Sequence, residues 1–390
     1  MTKKITVVHT EDVTAYPPVI SLLENLLDQG YLVDFISINI EYLPYEIFNA
    51  PNFNGYDIKG YYNESKLNQV FTAFNRSKVA IKLVNDCMKD SNYLWTTTAL
   101  TVKDLGDTVL RYKHIMQLME LIEWYPKYNK LRKLGKFGIF RFPIEKYARK
   151  AWKVVVPEEN RAYIQQMWWG LPNKPTVLPN KPYKINISVD KNRLDDNLTE
   201  AIQKIRNEKR KVILYLGFLS PERELDKFAE AIEQFDGKYC LYIVGGTYDK
   251  KFLQHIKKIS KTFKNTEYLG YFRAPNHLNF LKYSYIGLLP YQPAKNTVEY
   301  ISDLNTLYCA PNKIFEYAGY KVPMISTDVP GVTYFFKKFN CGVNLKNIKF
   351  KEITNAINKI ELSYSSIQSN CKTFYDSVNL TEIVRKILSN

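Results

Sequence analysis

A short segment around residue 311 combines residue types that could bind a phosphorylated ligand. Ala310–Pro311–Asn312 predicts the start of a helix, because proline is tolerated in the first helical turn. The free N–H groups of a helix start carry partial positive charge and can hold a phosphate. Lys313 follows in that turn, where a cation is unfavourable for the helix unless an anionic ligand compensates. Glu316 shares this helix face, and its carboxylate can accept two hydrogen bonds from a ribose diol. The alternative is an ordinary surface helix with a Lys–Glu pair.

The elements that would position this segment alternate between strands and helices. In the first half, ITVVHT and YLVDFISI are predicted strands on either side of a helix that begins at Pro17 and ends near Gly30. The alternation restarts with the predicted strand VILYLGF and the predicted helix PERELDKFAEAIEQF, which has one apolar face. It continues with the strand YCLYIVGG, the helix APNHLNFLKY and the strand YIGLLPY. The pattern predicts an α/β protein of two doubly wound, Rossmann-like units, with ligands beyond the carboxyl ends of the strands.

The domain borders follow from a change in composition. Residues 181–210 are polar and charged, which favours a linker. We therefore expect an N-terminal domain over 1–180 and a C-terminal domain over 211–375. A final helix over 376–390 could pack back on the first domain.

Composition restricts the class of protein. The 390 residues are 45 % hydrophobic and 24 % charged, so they can bury cores of the size that two domains need. Five cysteines are scattered and form no C-x-x-C pair, which excludes a disulfide scaffold and a zinc ribbon and favours a reducing cytoplasm. We expect neither a signal peptide nor a membrane span, because no apolar run is long enough.

The net charge of +16 is concentrated in one region. Between residues 127 and 153 the only acid is Glu145, and aromatic residues are interleaved with the basic ones. Basic and aromatic side chains together favour an anionic membrane surface, and a solvated protein face is the alternative. Nucleic acid is not expected, since no nucleic-acid-binding motif accompanies the cluster. The predicted membrane-surface residues are Lys127, Lys130, Arg132, Lys133, Lys136, Arg141, Arg149 and Lys150.

The second half resembles a known family. PNKIFEYAGYKVPMI, followed by a polar turn and VPG, is similar to the donor-binding signature of retaining GT-B glycosyltransferases of family 4. YLGFLSPERELDKFAEAI, VGG and EYLGYFRAPNHLNFLKYSYIGLLPY are similar to other parts of that C-terminal domain. The resemblance extends over most of the chain, although it is looser in the N-terminal half. It implies the GT-B fold, in which two Rossmann-like domains face a central cleft.

The resemblance also implies roles for individual residues. Glu316 would bind the donor ribose, while Lys313 and the amides after Pro311 would face the diphosphate. Arg223 stands where the family has a phosphate-binding lysine. Glu120 is the carboxylate retained from a His-Glu pair of the N-terminal domain, so Glu120, Lys313 and Arg223 are the catalytic candidates. The remaining donor-binding candidates are Asn312, Gly217, Phe218, Tyr271, Phe272, Tyr308, Ala310 and Pro311.

Three positions depart from the family pattern. Tyr308 occupies the place of a sugar-contacting glutamate, eight residues before Glu316. Phe218 occupies the place of a phosphate-binding arginine, and Met119 the place of the histidine beside Glu120. These departures keep open a non-catalytic GT-B partner or chaperone of an active glycosyltransferase.

The implied activity is transfer of a sugar from a nucleotide-diphosphate sugar, most simply a UDP-sugar, to an acceptor hydroxyl. No D-x-D motif is present, so we expect neither a metal nor another cofactor. A lipid-linked or surface-polysaccharide acceptor at the inner membrane face is expected, as in capsule, exopolysaccharide or O-antigen assembly. A sugar-nucleotide epimerase is a lesser alternative, because the four histidines (His9, His114, His255 and His277) form no recognisable pattern. The oligomeric state stays open.

Overall fold

The computed structural model describes residues 3–59, 69–122, 125–126, 141–185, 196–293 and 303–389. These residues form two compact units. The first comprises Met1–Tyr183, Thr297–Asn305 and Asn379–Asn390, and the second comprises Lys184–Asn296 and Thr306–Val378. The predicted fold class, two doubly wound parallel-sheet α/β units, is confirmed.

The first unit contains a parallel sheet of seven strands in the order β3-β2-β1-β4-β5-β8-β9. Two further strands, β6 and β7, form an antiparallel pair. The central strand β1 is an almost unbroken buried run, as expected for a parallel strand that is covered on both faces. The strands are β1 Lys4–Asp12, β2 Leu32–Ile38, β3 Phe53–Asp57, β4 Tyr93–Thr96, β5 His114–Gln117, β6 Tyr125–Pro126, β7 Arg141–Phe142, β8 Lys153–Val156 and β9 Thr176–Val177.

Helices of the first unit connect these strands. The predicted first helix begins at Pro17 without a side-chain cap, and Gly30 follows it with φ +79°. The α-helices are Pro17–Asp28, Tyr45–Phe48, Gln69–Cys87, Ala99–Leu105, Ile144–Lys150, Glu159–Trp169 and Leu380–Leu388. Short 3₁₀ helices are Val13–Ala15, Ile40–Tyr42 and Gly106–Arg111. Within the ranges given above, no helix is long and apolar enough to cross a membrane.

The second unit is built on a parallel sheet of six strands in the order β12-β11-β10-β13-β14-β15. The strand order reverses between β10 and β13, and the carboxyl ends of strands at such a reversal form a crevice where ligands bind. These strands are β10 Lys211–Leu216, β11 Tyr239–Val244, β12 Thr266–Gly270, β13 Ile286–Leu289, β14 Met324–Thr327 and β15 Gly342–Leu345.

Amphipathic helices cover both faces of this sheet. The predicted apolar face of Leu225–Glu233 is buried, including Phe228 and Ile232. The segment Asn276–Tyr283, predicted as an α-helix, is a 3₁₀ helix, the tighter form that is common in short connections. A further α-helix, Leu304–Leu307, lies where the chain passes between the units, and Pro221–Arg223 is a 3₁₀ helix. The other α-helices are Asp196–Arg206, Leu225–Glu233, Lys250–Thr262, Asn312–Gly319, Pro330–Phe339, Phe350–Leu362 and Tyr364–Asp376.

The second unit begins at Lys184 and ends at Val378. The segment 181–210 is divided, because residues from Lys184 onward belong to the second unit and Asp196–Arg206 is one of its helices. The chain returns to the first unit at Asn379. There Asn25 Nδ2 donates to Thr381 Oγ1 at 3.3 Å, and Tyr93 Oη donates to the carbonyl of Leu388 at 3.1 Å.

Candidate functional site

Glycines at the strand ends of the second unit allow other groups to come unusually close. Gly217 follows β10 with φ +133°, and a Cβ atom there would lie 2.1 Å from Lys313 Cε. A Cβ atom on Gly245, which follows β11, would lie 1.8 Å from the carbonyl oxygen of Gly217. The Lys313 side chain therefore packs directly on the backbone of Gly217 at the reversal in strand order, and a methyl group on residue 217 would not fit there.

The Asn312–Gly319 helix starts at this crevice. Pro311 precedes it in an extended conformation, and no side chain among the described residues caps its first turn. The loop before it is held against the Pro330–Phe339 helix, since a Cβ atom on Gly331 would lie 2.4 Å from the carbonyl oxygen of Cys309. The VPG motif thus sets the position of the helix start, and the amides there are available to an anion.

Lys313 is partly buried beside two tyrosines. Its Nζ donates to Tyr291 Oη at 3.1 Å and lies 5.8 Å from the centre of the Tyr215 ring. Burial lowers the pKa of the Lys313 ammonium, and the positive charge of Arg223 acts in the same direction. The protein alone therefore disfavours the charge that a phosphate would stabilise.

Arg223 approaches the same tyrosine from another side. Its Cζ lies 4.3 Å from the centre of the Tyr291 ring, and Nη1 donates to the carbonyl of Pro290 at 3.3 Å. Neither Arg223 nor Lys313 forms an ion pair with a carboxylate of the residues that the structure describes. The two cations predicted to face a diphosphate are thus brought together. Tyr291, which joins them, was not predicted; its place directly after the strand in YIGLLPY was the available signal.

Glu316 is 2 % exposed, one turn along the same helix. His277 Nε2 lies 3.3 Å from Glu316 Oε1, and no other hydrogen bond reaches this carboxylate from the described residues. His277 was not predicted as a site residue. The contact joins elements 39 positions apart in sequence, so no local spacing could reveal it.

Exposed aromatic side chains surround the strand ends. Phe218 and Tyr248 are 50 % and 94 % exposed, and their ring centres are 5.7 Å apart. Tyr271 is 56 % exposed and packs against Gly246. Phe272 instead packs on Phe280, with ring centres 5.0 Å apart. Of the donor-binding candidates Tyr271 and Phe272, Tyr271 is the more exposed.

The other donor-binding candidates lie in or beside the loop before the helix. Tyr308, Ala310 and Asn312 are partly buried, and the carbonyl carbon of Tyr308 would lie 2.9 Å from a Cβ atom on Gly331. The backbone of Tyr308 is therefore tightly positioned.

Glu120 belongs to the first unit, unlike all the residues above. It is exposed just after β5. The neighbouring Met119 is buried, and its carbonyl accepts from Arg161 Nη1 at 2.8 Å. Glu123, the second carboxylate of this segment, lies outside the described residues.

A polar cluster lies at the carboxyl end of β1 in the first unit. Thr10 Oγ1 donates to Asp104 Oδ2 at 2.6 Å, and Arg76 forms an ion pair with the same oxygen at 2.9 Å. Burial raises the pKa of Glu11, although Tyr16 Oη donates to it at 2.8 Å. His9 is fully buried, which lowers its pKa to about 3, so it is neutral and unsuited to act as an acid.

Basic surfaces occur in both units. In the first, Arg149 and Lys150 are exposed, and Arg149 Nε donates to the carbonyl of Trp169 at 2.5 Å. The other predicted membrane-surface residues lie outside the described residues: Lys127, Lys130, Arg132, Lys133, Lys136 and the side chain of Arg141.

The second unit has six exposed lysines in and beside one helix: Lys250, Lys251, Lys257, Lys258, Lys261 and Lys264. We name these six the lysine face; in the described parts of the chain none of them has an ion-pair partner.

The described residues contain no group of three or more His, Cys, Asp and Glu side chains that could hold a metal ion. Lys313, Arg223 and the amides of the helix start supply positive charge at the crevice.

Comparison with known proteins finds similarity to glycosyltransferases. Residues 210–361 match the family described as "Glycosyl transferases group 1". No curated protein matches the chain in sequence. The chain is similar to Anabaena Alr3699/HepE, solved in complex with UDP and glucose, at 10 % identity and a TM-score of 0.63, over 99 % of this chain and 98 % of that one.

Two further solved structures extend the likeness. Sucrose-phosphate synthase from Thermosynechococcus elongatus is 13 % identical, with a TM-score of 0.64, and a glycosyltransferase from Rickettsia africae is 14 % identical, with a TM-score of 0.62. Each comparison covers 99 % of this chain and 97 % of the other. The chain thus has the GT-B fold, and its second unit carries the sequence pattern of the group 1 glycosyltransferases.

Proposed function

We propose that the protein is a retaining glycosyltransferase that uses a UDP-sugar as donor. The observation that carries this proposal is the pair of cations, Lys313 and Arg223, held by Tyr291 at the reversal in strand order without a carboxylate partner among the described residues. A nucleoside diphosphate supplies the missing negative charge. Glu316 is within one helical turn of Lys313, where it can accept from a ribose.

The chemical task of such an enzyme is to stabilise the leaving diphosphate. The bond between the sugar and the diphosphate breaks with a build-up of negative charge on the phosphate oxygens. A new bond forms to the acceptor oxygen, and the acceptor's proton passes to the leaving phosphate oxygen. Preorganised donors aimed at that charge accelerate the reaction most. Here they are Lys313 Nζ, the Arg223 guanidinium and the amides after Pro311. We propose that this set works without a metal ion.

Thermal unfolding with a series of ligands tests the donor site. UDP and UDP-glucose should raise the unfolding temperature, whereas uridine should not, because the cations recognise the diphosphate. Ligand at a hundredfold excess over its Kd stabilises the fold by about 2.7 kcal/mol. Release of UDP from UDP-glucose in the presence of membrane lipid then tests transfer. Equal shifts with uridine and UDP would contradict a diphosphate site.

We further propose a lipid-linked or polysaccharide acceptor at the inner face of the membrane, with the protein bound there peripherally. The lysine face, Arg149 and Lys150 support this proposal, since each basic group near an anionic bilayer contributes about 1 kcal/mol. Co-sedimentation with vesicles of phosphatidylcholine alone or with phosphatidylglycerol tests it. Binding should require the anionic lipid and weaken with salt, and the same binding to both vesicles would contradict it.

The Tyr308 substitution favours one second candidate, a GT-B subunit that binds a donor but does not turn it over. Replacement of the family's sugar-contacting glutamate by Tyr308 removes a charged contact from the site. The two candidates differ in the assay above, because a non-catalytic partner is stabilised by UDP-glucose but releases no UDP even with crude lipid acceptor.

A further inference from the structure

Glu316 has more hydrogen-bonding capacity than the protein uses. A carboxylate offers about four acceptor positions, and burying one is unfavourable unless donors meet it. The Glu316 side chain is 3 % exposed, yet within the described residues only His277 bonds to it, through Oε1. A ligand that carries adjacent hydroxyl donors would meet the second oxygen, and ribose in the proposed nucleotide is such a ligand.

We propose that His277 is a positioning residue that orients Glu316 for the ribose hydroxyls. It comes from the Asn276–Tyr283 3₁₀ helix, so it fixes the carboxylate from outside the helix that carries it. An ionised carboxylate only accepts, so the imidazole must carry a proton on Nε2 to form this bond. Holding Oε1 from one side sets the plane of the carboxylate and leaves Oε2 for the ligand. This inference rests on the proposed function.

The geometry separates this role from general support of the fold. The His277 side chain is 12 % exposed, and its imidazole forms no hydrogen bond with any other described residue. A purely structural histidine would affect every ligand equally when it is replaced. A positioning histidine would affect only ligands that have ribose hydroxyls, because its influence passes through Glu316.

Calorimetric titration with UDP and with 2′,3′-dideoxy-UDP distinguishes the two roles. The wild-type protein should bind UDP at least tenfold more tightly than the dideoxy compound. His277→Ala should lower that ratio at least threefold while the Kd for the dideoxy compound stays the same. His277→Gln keeps an N–H donor and should retain most of the ratio, and Glu316→Gln should bring the ratio close to one. His255→Ala, an exposed histidine on Lys250–Thr262, serves as the matched control.

Each outcome decides a separate question. A wild-type ratio in His277→Ala would overturn the positioning role and leave the proposed function standing. Equal weakening of both ligands, with a lower unfolding temperature, would assign His277 to the fold and also overturn the inference. Failure of the wild-type protein to bind UDP would overturn the proposed function, and the inference with it.

Discussion

Replacing Lys313 with methionine separates a ligand-binding cation from a structural one. The substitution removes the charge but keeps an unbranched chain against Gly217. In the unliganded protein the ammonium is desolvated, and Arg223 repels it, so its pKa is lowered. A group with a lowered cationic pKa destabilises the folded state while it is charged. We therefore expect Lys313→Met to unfold with a free energy equal to that of wild type or about 1 kcal/mol higher.

The same substitution should weaken diphosphate binding strongly. A hydrogen bond from a charged donor contributes about 1.5–3 kcal/mol, and a buried phosphate that loses it is left partly unsatisfied. This range corresponds to a UDP Kd about 10- to 150-fold higher. Lys313 should thus show opposite effects on stability and on binding, which is the signature of a residue selected for its ligand.

Calorimetry with UDP and chemical unfolding without ligand measure the two effects. Lys261→Met, on the exposed lysine face, is the matched control. Unfolding measured over a series of pH values tests the direction of the pKa shift, because the unfolded chain holds the Lys313 proton more tightly than the folded protein does. Wild-type stability should rise relative to Lys313→Met as pH increases toward the ordinary lysine value of 10.5. Lower stability of the variant with unchanged UDP affinity would refute the reasoning.

Two further predictions concern the second unit. Gly245→Ala should destabilise the fold by about 1–3 kcal/mol, since its Cβ would lie 1.8 Å from the Gly217 carbonyl oxygen, and chemical unfolding measures this. Burial alone raises the pKa of Glu361, but hydrogen bonds, the largest from Lys211, lower that pKa to about 2. Glu361 should therefore stabilise the fold at pH values above its ordinary pKa of 4.5 and lose that effect as the pH falls toward 2. After allowance for solvent screening, Glu361→Gln should lower the free energy of unfolding by about 1–2 kcal/mol at pH 7 and by little near pH 2. The same loss of stability at both pH values would contradict this prediction.

Local spacing was sufficient to predict one side of the candidate site. Pro311, Lys313 and Glu316 lie within two helical turns, so their common helix face follows from helical periodicity alone. The alternation of strands and helices likewise predicted both doubly wound units, because parallel strands covered on both faces have a distinct apolar pattern. These features depend on neighbours in sequence, and the structure confirms the elements.

Tyr291 and His277 could not be found in that way. Tyr291 meets Arg223 only because β13 pairs with β10, and the order of strands in a sheet is not encoded in local spacing. His277 contacts Glu316 from the Asn276–Tyr283 segment, for which the sequence predicted an α-helix and the structure has a 3₁₀ helix. Arg223 itself was a candidate only through the family resemblance. Sequence thus predicted the candidate residues on the Asn312–Gly319 helix, whereas their partners could be identified only from the tertiary structure.

The choice of partner at residue 291 bears on what the site binds. A carboxylate between Lys313 and Arg223 would neutralise them and compete with an incoming phosphate. Tyr291 instead accepts one hydrogen bond from Lys313 and offers its ring face to Arg223. The cation–π contact positions Arg223, and the neutral Tyr291 hydroxyl positions Lys313 as its acceptor. Neither contact neutralises the positive charges. The charge of Arg223 still disfavours that of Lys313, and the neutral Tyr291 ring between them does not compensate it, so an anionic ligand at the strand reversal would complete the site.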